Sequence, residues 1–405
     1  MLTGSAPRGG GAGRSAATRE VHAMTVVPQQ TSQPSARPSN LPPHVLAAVF
    51  AATSVVLGVI WDISWHRSIG RDTFWTPAHL AIYLGGLVGG GVCGWLVLRT
   101  TFGAPSQAPG VRFWGFRGPL GAWLCIWGAI AMITSAPLDN WWHDAYGLDV
   151  KVLSPPHTVL ALGMLGIQFG ALLLVLAEQN RTGDRRRYGL LVAWLAGVLI
   201  QNASVLGIEQ IGFANEARTA LYYKVGAAIF PIALVAAGRA AGVRWGATAA
   251  AAAYMAISLV MIWVLQLFPA TPRLAPVFNP LTRMVPPPFP VLLVAPGLVI
   301  DYLLRRAGSG RDWGLSVLAG VGFLAAFLVT QWVASEFLIS PYARNGFFGV
   351  DHWDYSSRLG PWRYQFWRTT SDPVTLTGFG WAALFAVASS RLGLWCGTWL
   401  ARIKR

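Results

Sequence analysis

The chain has 405 residues, of which 54% are hydrophobic and only 12% charged, with 20 Trp and a formal net charge of +15. Soluble domains carry roughly 25% charged residues, so a water-soluble globular protein is excluded. The basic excess is spread over the segments between apolar runs rather than gathered in a patch, which argues for membrane topology and against nucleic-acid binding.

Residues 1–43 are rich in Ser, Pro, Gly and Arg and poor in apolar side chains, so a disordered tail is expected there. A secretory signal needs an apolar segment directly after its basic start, whereas the first such segment begins near residue 44 and reads as a retained helix. Apolar runs then follow at Val45–Ile60, Leu80–Leu98, Leu120–Ile133 and Val159–Leu176, and near 189–208, 219–237, 246–268, 288–304, 314–338 and 374–400. With its flanks, each approaches the roughly 20 residues that cross a bilayer as a helix. The expected fold is an all-α integral membrane protein of about ten transmembrane helices. Two tandem metal-binding helical hairpins lie in its N-terminal half. Three parts are expected: a tail over 1–43, a four-helix metal-binding core over 44–180, and six further helices over 188–405. Cys93, Cys125 and Cys396 fall inside spans without paired spacing and read as small buried hydrophobes.

Ten spans put both termini on one side, with the loops near 99–118, 180–188, 238–245 and 305–312. That side holds 19 of the 31 Lys and Arg residues, and the other holds 10, four of them in the segment 339–372. Basic residues mark the cytoplasmic face. The expected location is a bacterial inner membrane with both termini cytoplasmic and the segment 339–372 periplasmic.

Two polar stretches interrupt this pattern. Trp61–His79 and Leu138–His157 share one skeleton: Asp, three residues, His, then Gly-x-Asp, then Ser/Thr-Pro-x-His. The first copy is Asp62, His66, Gly70, Asp72, Thr76, Pro77 and His79. The second is Asp139, His143, Gly147, Asp149, Ser154, Pro155 and His157, longer by one residue before the Ser. Residues four apart share a helical face, so Asp62 with His66, and Asp139 with His143, aim at one point each. Thr76-Pro77 and Ser154-Pro155 are helix starts, a capping hydroxyl followed by Pro at the first helical position. His79 and His157 then take the third helical position. A lone His near a membrane edge is ordinarily a hydrogen-bonded anchor, but ionisable groups at membrane depth cost a few kcal/mol and mark function. Two matched Asp-His-His sets therefore point to metal, and their donors suit copper, zinc or non-haem iron. Both sets face the periplasmic side in this topology.

The first stretch resembles the C subunit of the copper membrane monooxygenases, the particulate methane and ammonia monooxygenases. The likeness rests on Asp62-Ile63-Ser64-Trp65-His66, Arg71-Asp72-Thr73, Thr76-Pro77-Ala78-His79 and Tyr83. The second, Asp139-Asn140-Trp141-Trp142-His143 followed by Pro155-Pro156-His157, is similar through Trp141, His143 and His157, with Pro155 two residues before that His. The resemblance covers about residues 45–180. It implies copper at Asp62, His66 and His79, and an adjacent site at Asp139, His143 and His157 as the seat of oxygen chemistry. Asp139 stands where that family has Asn. Spans five to ten have no counterpart in it.

Elsewhere Gln201, Asn202, Glu209 and Gln210 belong to span five or its outer end, Gln266 to span seven, and Gln331 and Glu336 to span nine. They suit proton carriage, outer-shell ligands or plain hydrogen bonding between helices. Gly86, Gly90 and Gly94 permit close helix approach behind His79. Residues 269–290 read as a Pro-rich connector, and Asp351, His352 and Asp354 as an interfacial loop or a further metal set. Three functions fit: a copper-dependent monooxygenase acting on a small apolar or inorganic substrate, a membrane copper-binding or delivery protein, or a transporter. The partners expected are the lipid bilayer and either other monooxygenase subunits or further copies of the chain. An enzyme would also need a quinol or another electron donor, because no haem or flavin motif is present.

Overall fold

Apolar runs in lipid satisfy their backbone only within a helix or a closed barrel, and these runs fold as helices. The computed structural model describes residues 40–70, 73–103, 110–147, 154–307, 312–351, 353–365 and 373–404. In chain order the helices are α1 (Pro43–Ser68), α2 (Pro77–Phe102), α3 (Leu120–Tyr146), α4 (Pro155–Thr182) and α5 (Arg185–Leu206). The single turn α6 (Ile208–Ile211) leads to α7 (Ala220–Ala240) and α8 (Gly246–Leu265). Then come α9 (Val294–Arg306), α10 (Asp312–Ile339) and α11 (Leu376–Leu400). Between α2 and α3 lies an antiparallel hairpin, β1 (Val111–Phe113) with β2 (Phe116–Gly118). Its two-residue turn places both Trp114 and Gly115 at positive φ, the geometry that matches strand twist.

Nine of the described helices are long and apolar enough to cross a membrane, all but α6 and α9. The architecture is that of a multi-pass membrane protein. The expectation of ten spanning helices fails at 288–304, where α9 begins only at Val294 and has 13 residues. Pro286, Pro287, Pro288 and Pro290 cannot donate backbone bonds and bar helix over that stretch. The chain instead runs extended and mostly buried from Met284 to Pro290 before α9 starts. Non-helical backbone at membrane depth survives only where protein covers it. Here the Tyr254 hydroxyl donates to the Pro290 carbonyl (2.9 Å), and Gln331 donates to the Val291 carbonyl (2.5 Å). Residues 284–306 are thus a broken segment, an extended half followed by a helical half, and not a tenth spanning helix.

Close approach between helices is carried by glycine. A Cβ on Gly128 of α3 would lie 2.6 Å from the Gly163 carbonyl of α4, and one on Gly170 would lie 2.6 Å from the Gly121 carbonyl. In α2 the predicted stripe is only partly used: Gly86 faces Met132 and Gly90 faces Ala129, but Gly94 meets nothing within 4 Å. Residues Leu41–Arg405 cluster as one compact unit. Its largest buried side chains include Tyr222, Tyr223, Tyr254, Phe230, Phe323 and Phe327, which join α7, α8 and α10. Cys93 and Cys125 are buried and Cys396 half-buried, all three as free thiols.

The sharpest polar feature of the scaffold is Asp301 of α9, only 2% exposed. Its carboxylate accepts from the Ala247 and Thr248 amides (3.1 and 2.8 Å) and from the Thr248 hydroxyl (2.7 Å), capping α8. The helix dipole favours that charge. Asp301→Ala strands two amides and is expected to cost about 2 kcal/mol, read as a lower unfolding midpoint in detergent. Asp301→Asn should recover part of the loss, and an unchanged midpoint in the Ala variant would refute the capping role.

Candidate metal centres

Helices α1 to α4 alternate in direction, so the end of α1, the start of α2, the end of α3 and the start of α4 lie at one end of the bundle. Both polar stretches are therefore at that end. The predicted caps form. The Thr76 hydroxyl accepts from the His79 amide (3.3 Å), and the Ser154 hydroxyl accepts from the His157 amide (3.4 Å). Pro77 and Pro155 open their helices as first residues. The repeated glycines also acquire a reason: Gly70 has φ +93° and Gly147 has φ +84°, conformations that β-carbon residues resist, at the ends of α1 and α3. Asp72 and Asp149 lie outside the described residues.

In each copy the carboxylate sits between two imidazoles, one oxygen toward each. Asp62 Oδ1 lies 3.3 Å from His79 Nε2, and Asp62 Oδ2 lies 3.8 Å from His66 Nε2. Asp139 Oδ1 lies 3.5 Å from His157 Nε2, and Asp139 Oδ2 lies 3.5 Å from His143 Nε2. The correspondence is complete, since Oδ1 faces the capped-helix histidine and Oδ2 the histidine four residues on. Asp62 Oδ1 and Asp139 Oδ1 are buried and accept no hydrogen bond. Two donors about 2.0–2.2 Å from one tetrahedral ion stand roughly 3.3–3.5 Å apart; three of the four separations fall there, and the 3.8 Å between His66 and Asp62 exceeds it. Among the described residues, no group of three or more His, Cys, Asp or Glu side chains is placed so as to hold a metal ion. The observation is of a carboxylate facing two imidazoles, twice.

His143 Nδ1 lies 3.1 Å from the Gly147 carbonyl. A carbonyl only accepts, so Nδ1 carries the proton in that contact. In a neutral ring, Nε2 then presents a lone pair to the Asp139 carboxylate. A lone pair against an anionic oxygen is repulsive unless a cation, metal or proton, lies between them. A backbone carbonyl fixing the distal ring nitrogen in this way is the usual outer support of a metal-bound histidine.

The two sets differ in their surroundings. The end of α1 is held by chain from the C-terminal half: the Ser68 hydroxyl accepts from the Val285 amide (2.7 Å), and the Arg67 carbonyl from the Tyr355 amide (3.2 Å). The Ile69 carbonyl accepts from the Arg273 amide (2.8 Å), and Trp61 stacks on Phe268 at 5.7 Å. Trp353 stacks on Phe213, over which the Arg67 guanidinium lies at 5.4 Å. By contrast α3 packs on α2 and α4, and its last turn carries exposed Trp141 and Tyr146. Residues 269–290 are thus a clamp on the first set as well as a connector. Sequence reading missed that clamp, whose only signal was the Pro run beside an apolar segment.

The other polar residues mostly serve packing. The Gln201 side-chain carbonyl accepts from Ser258 (2.7 Å), Gln331 accepts from Tyr222 (2.9 Å), and Gln266 donates to the Gly346 carbonyl (2.8 Å). Glu336 pairs with Arg218, and Glu209 is exposed on α6. Asp354 accepts from the Ser356 and Ser357 hydroxyls, and Asp351 accepts from Tyr364. His352 lies outside the described residues. No protein-family model, curated protein or solved structure matches this chain.

Side-chain exposure is 49% for His66, 21% for His79, 30% for His143 and 36% for His157. In metal-free protein, carbethoxylation mapped by mass spectrometry should modify His66 fastest and His79 slowest of the four. A His79 that reacts first would contradict its place behind Asp62.

Proposed function

We propose that this chain is a copper-binding membrane protein, and that its paired centres support oxygen-dependent oxidation of a small apolar or inorganic substrate. What carries the reading is the doubled arrangement in which a buried carboxylate oxygen without a hydrogen bond faces an imidazole nitrogen. The donors would be Asp62, His66 and His79 in one centre and Asp139, His143 and His157 in the other. Copper fits two imidazoles and a carboxylate, although zinc or iron would take the same donors. Bound there, copper would supply electron transfer and oxygen activation. The resemblance of Asp62–His79 to the C subunit of copper membrane monooxygenases favours copper, and partner subunits and a quinol donor belong to the same proposal.

The residues themselves have defined tasks. Asp62 and Asp139 neutralise charge and fix the imidazoles on either side. Thr76 and Ser154 set the pitch at which His79 and His157 leave their helices. The Gly147 carbonyl holds the proton of His143 on Nδ1 and leaves Nε2 for the ion. Trp61, stacked on Phe268, adds an aromatic neighbour to the helix turn that carries Asp62.

Copper-loaded protein should hold about two equivalents of metal, and His79→Ala and His157→Ala should each remove about one. Asp139→Asn should weaken copper retention at the second centre about 10–100-fold, the scale of losing a supporting group, with the first left intact. Metal analysis with electron paramagnetic resonance reads both. Unchanged stoichiometry and spectra in all three variants would defeat the metal assignment.

One observation favours a second reading, membrane transport of copper or another solute. The segment 284–306, with buried extended chain from Met284 to Pro290 and a 13-residue α9, has the form of the interrupted helices that transporters use at their binding sites. Purified protein in vesicles separates the two: copper-dependent oxygen consumption with a quinol analogue supports the oxidase, and copper flux without it supports transport.

A further inference from the structure

Away from both metal centres, a cavity of about 60 Å³ opens where the broken segment enters the bundle. One water needs roughly 10–15 Å³ of such space, so the cavity holds about four to six waters or a molecule of similar size. One wall is the extended chain at Pro288, Phe289, Pro290 and Val291. The α9 amino end, three residues beyond Val291, adds fixed positive potential from the same side.

Its lining combines apolar rings with several polar side chains. Asn215 and Ser335 line it, are 6% and 2% exposed, and make no side-chain hydrogen bond among the described residues. Arg344 and Arg363 line it as well. Their guanidinium groups pack on the Tyr364 ring at 3.5 and 4.6 Å, and neither pairs with a carboxylate among the described residues. Arg363 Nε is buried without a hydrogen-bond partner. Asp351, also in the wall, is taken up by the Tyr364 hydroxyl at 2.9 Å. Two cations against one anion leave the lining one positive charge in excess. Arg344 is exposed and Arg363 half-buried, so the excess charge is only partly screened, and one small anion at the buried Arg363 Nε would offset it.

We infer that this cavity binds a small planar oxyanion, of the carboxylate or nitrite class. A guanidinium fork matches two oxygens on one plane, Asn215 and Ser335 supply neutral donors at the buried end, and the volume admits formate or acetate but not an aromatic acid. The cavity also reaches the end of α1 through one ring. Phe213 belongs to its wall, and the Arg67 guanidinium, next in sequence to His66, lies over that ring.

The test is a titration of the full chain in detergent with formate, acetate and benzoate at constant ionic strength, chloride making up the balance. The readout is the unfolding midpoint. Formate and acetate should raise it saturably, and benzoate should not. Arg363→Gln and Arg344→Gln should each weaken half-saturation at least 10-fold while leaving the anion-free midpoint near that of the parent. If either arginine variant fails to fold, Asn215→Leu tests the buried end and should weaken formate binding in the same way. The inference falls if no saturable shift occurs, if benzoate acts like acetate, or if the folded Arg and Asn variants bind as the parent does. A shift lost in His79→Ala yet kept in the arginine variants would put the anion on the metal and would also overturn it, while the copper assignment would stand.

Discussion

Hydrocarbon offers no partner to a polar group, and this single constraint orders the molecule. It turns each long apolar run into a helix, because only there does the backbone satisfy itself. Where prolines prevent a helix, the same constraint forces the extended chain under cover and recruits Tyr254 and Gln331 to its carbonyls. It explains why Asp301 is spent on the α8 amides. It also gives the two Asp-His-His sets their meaning, since a carboxylate with a buried oxygen and no hydrogen bond is costly unless a cation shares it.

Much of this was legible from residue types. Runs of twenty apolar residues fix helices almost without regard to neighbours, so nine spans emerge close to where the sequence puts them. The helix ends that carry the two polar stretches were legible for a different reason: their geometry is local. Four-residue spacing and a Thr-Pro or Ser-Pro cap act within one or two turns, and the caps of α2 and α4 form as the spacing implies. The tenth span was misread because hydropathy is blind to hydrogen bonding. Val291–Ile300 is apolar, but the prolines before it leave no amides to build with. Gly94 fails for a related reason, since a four-residue glycine stripe shows that approach is possible and not which helix makes it.

Long-range support was not legible at all. Nothing in Val285, Arg273 or Tyr355 announces that their amides will meet the last carbonyls and hydroxyl of α1. Such contacts use backbone groups, which every residue has, and so leave no mark in composition. The cavity beside the broken segment escaped for the same reason. Asn215, Ser335, Arg344 and Arg363 are far apart in the chain and come together only once the cap over 341–365 folds onto the bundle.

The repeat was used twice, and the fold has treated its copies unequally. In the first, Gly70 packs so tightly that a Cβ would meet the Tyr355 hydroxyl at 2.6 Å. In the second, Gly147 has nothing within 4 Å. The same local sequence logic therefore yields one set braced on several sides and another held by two helices. A braced set resists rearrangement when its ligation changes, which suits an ion that stays put. Exposure does not separate the copies, since His66 of the first set is the most exposed histidine at 49%; what the second set lacks is the bracing, so it can exchange a ligand at lower cost. The extra negative charge of Asp139, compared with an amide, is what would keep a cation in so weakly braced a place. On these grounds the copy with the weaker scaffold is the better candidate for chemistry, and the copy with the stronger one for retention.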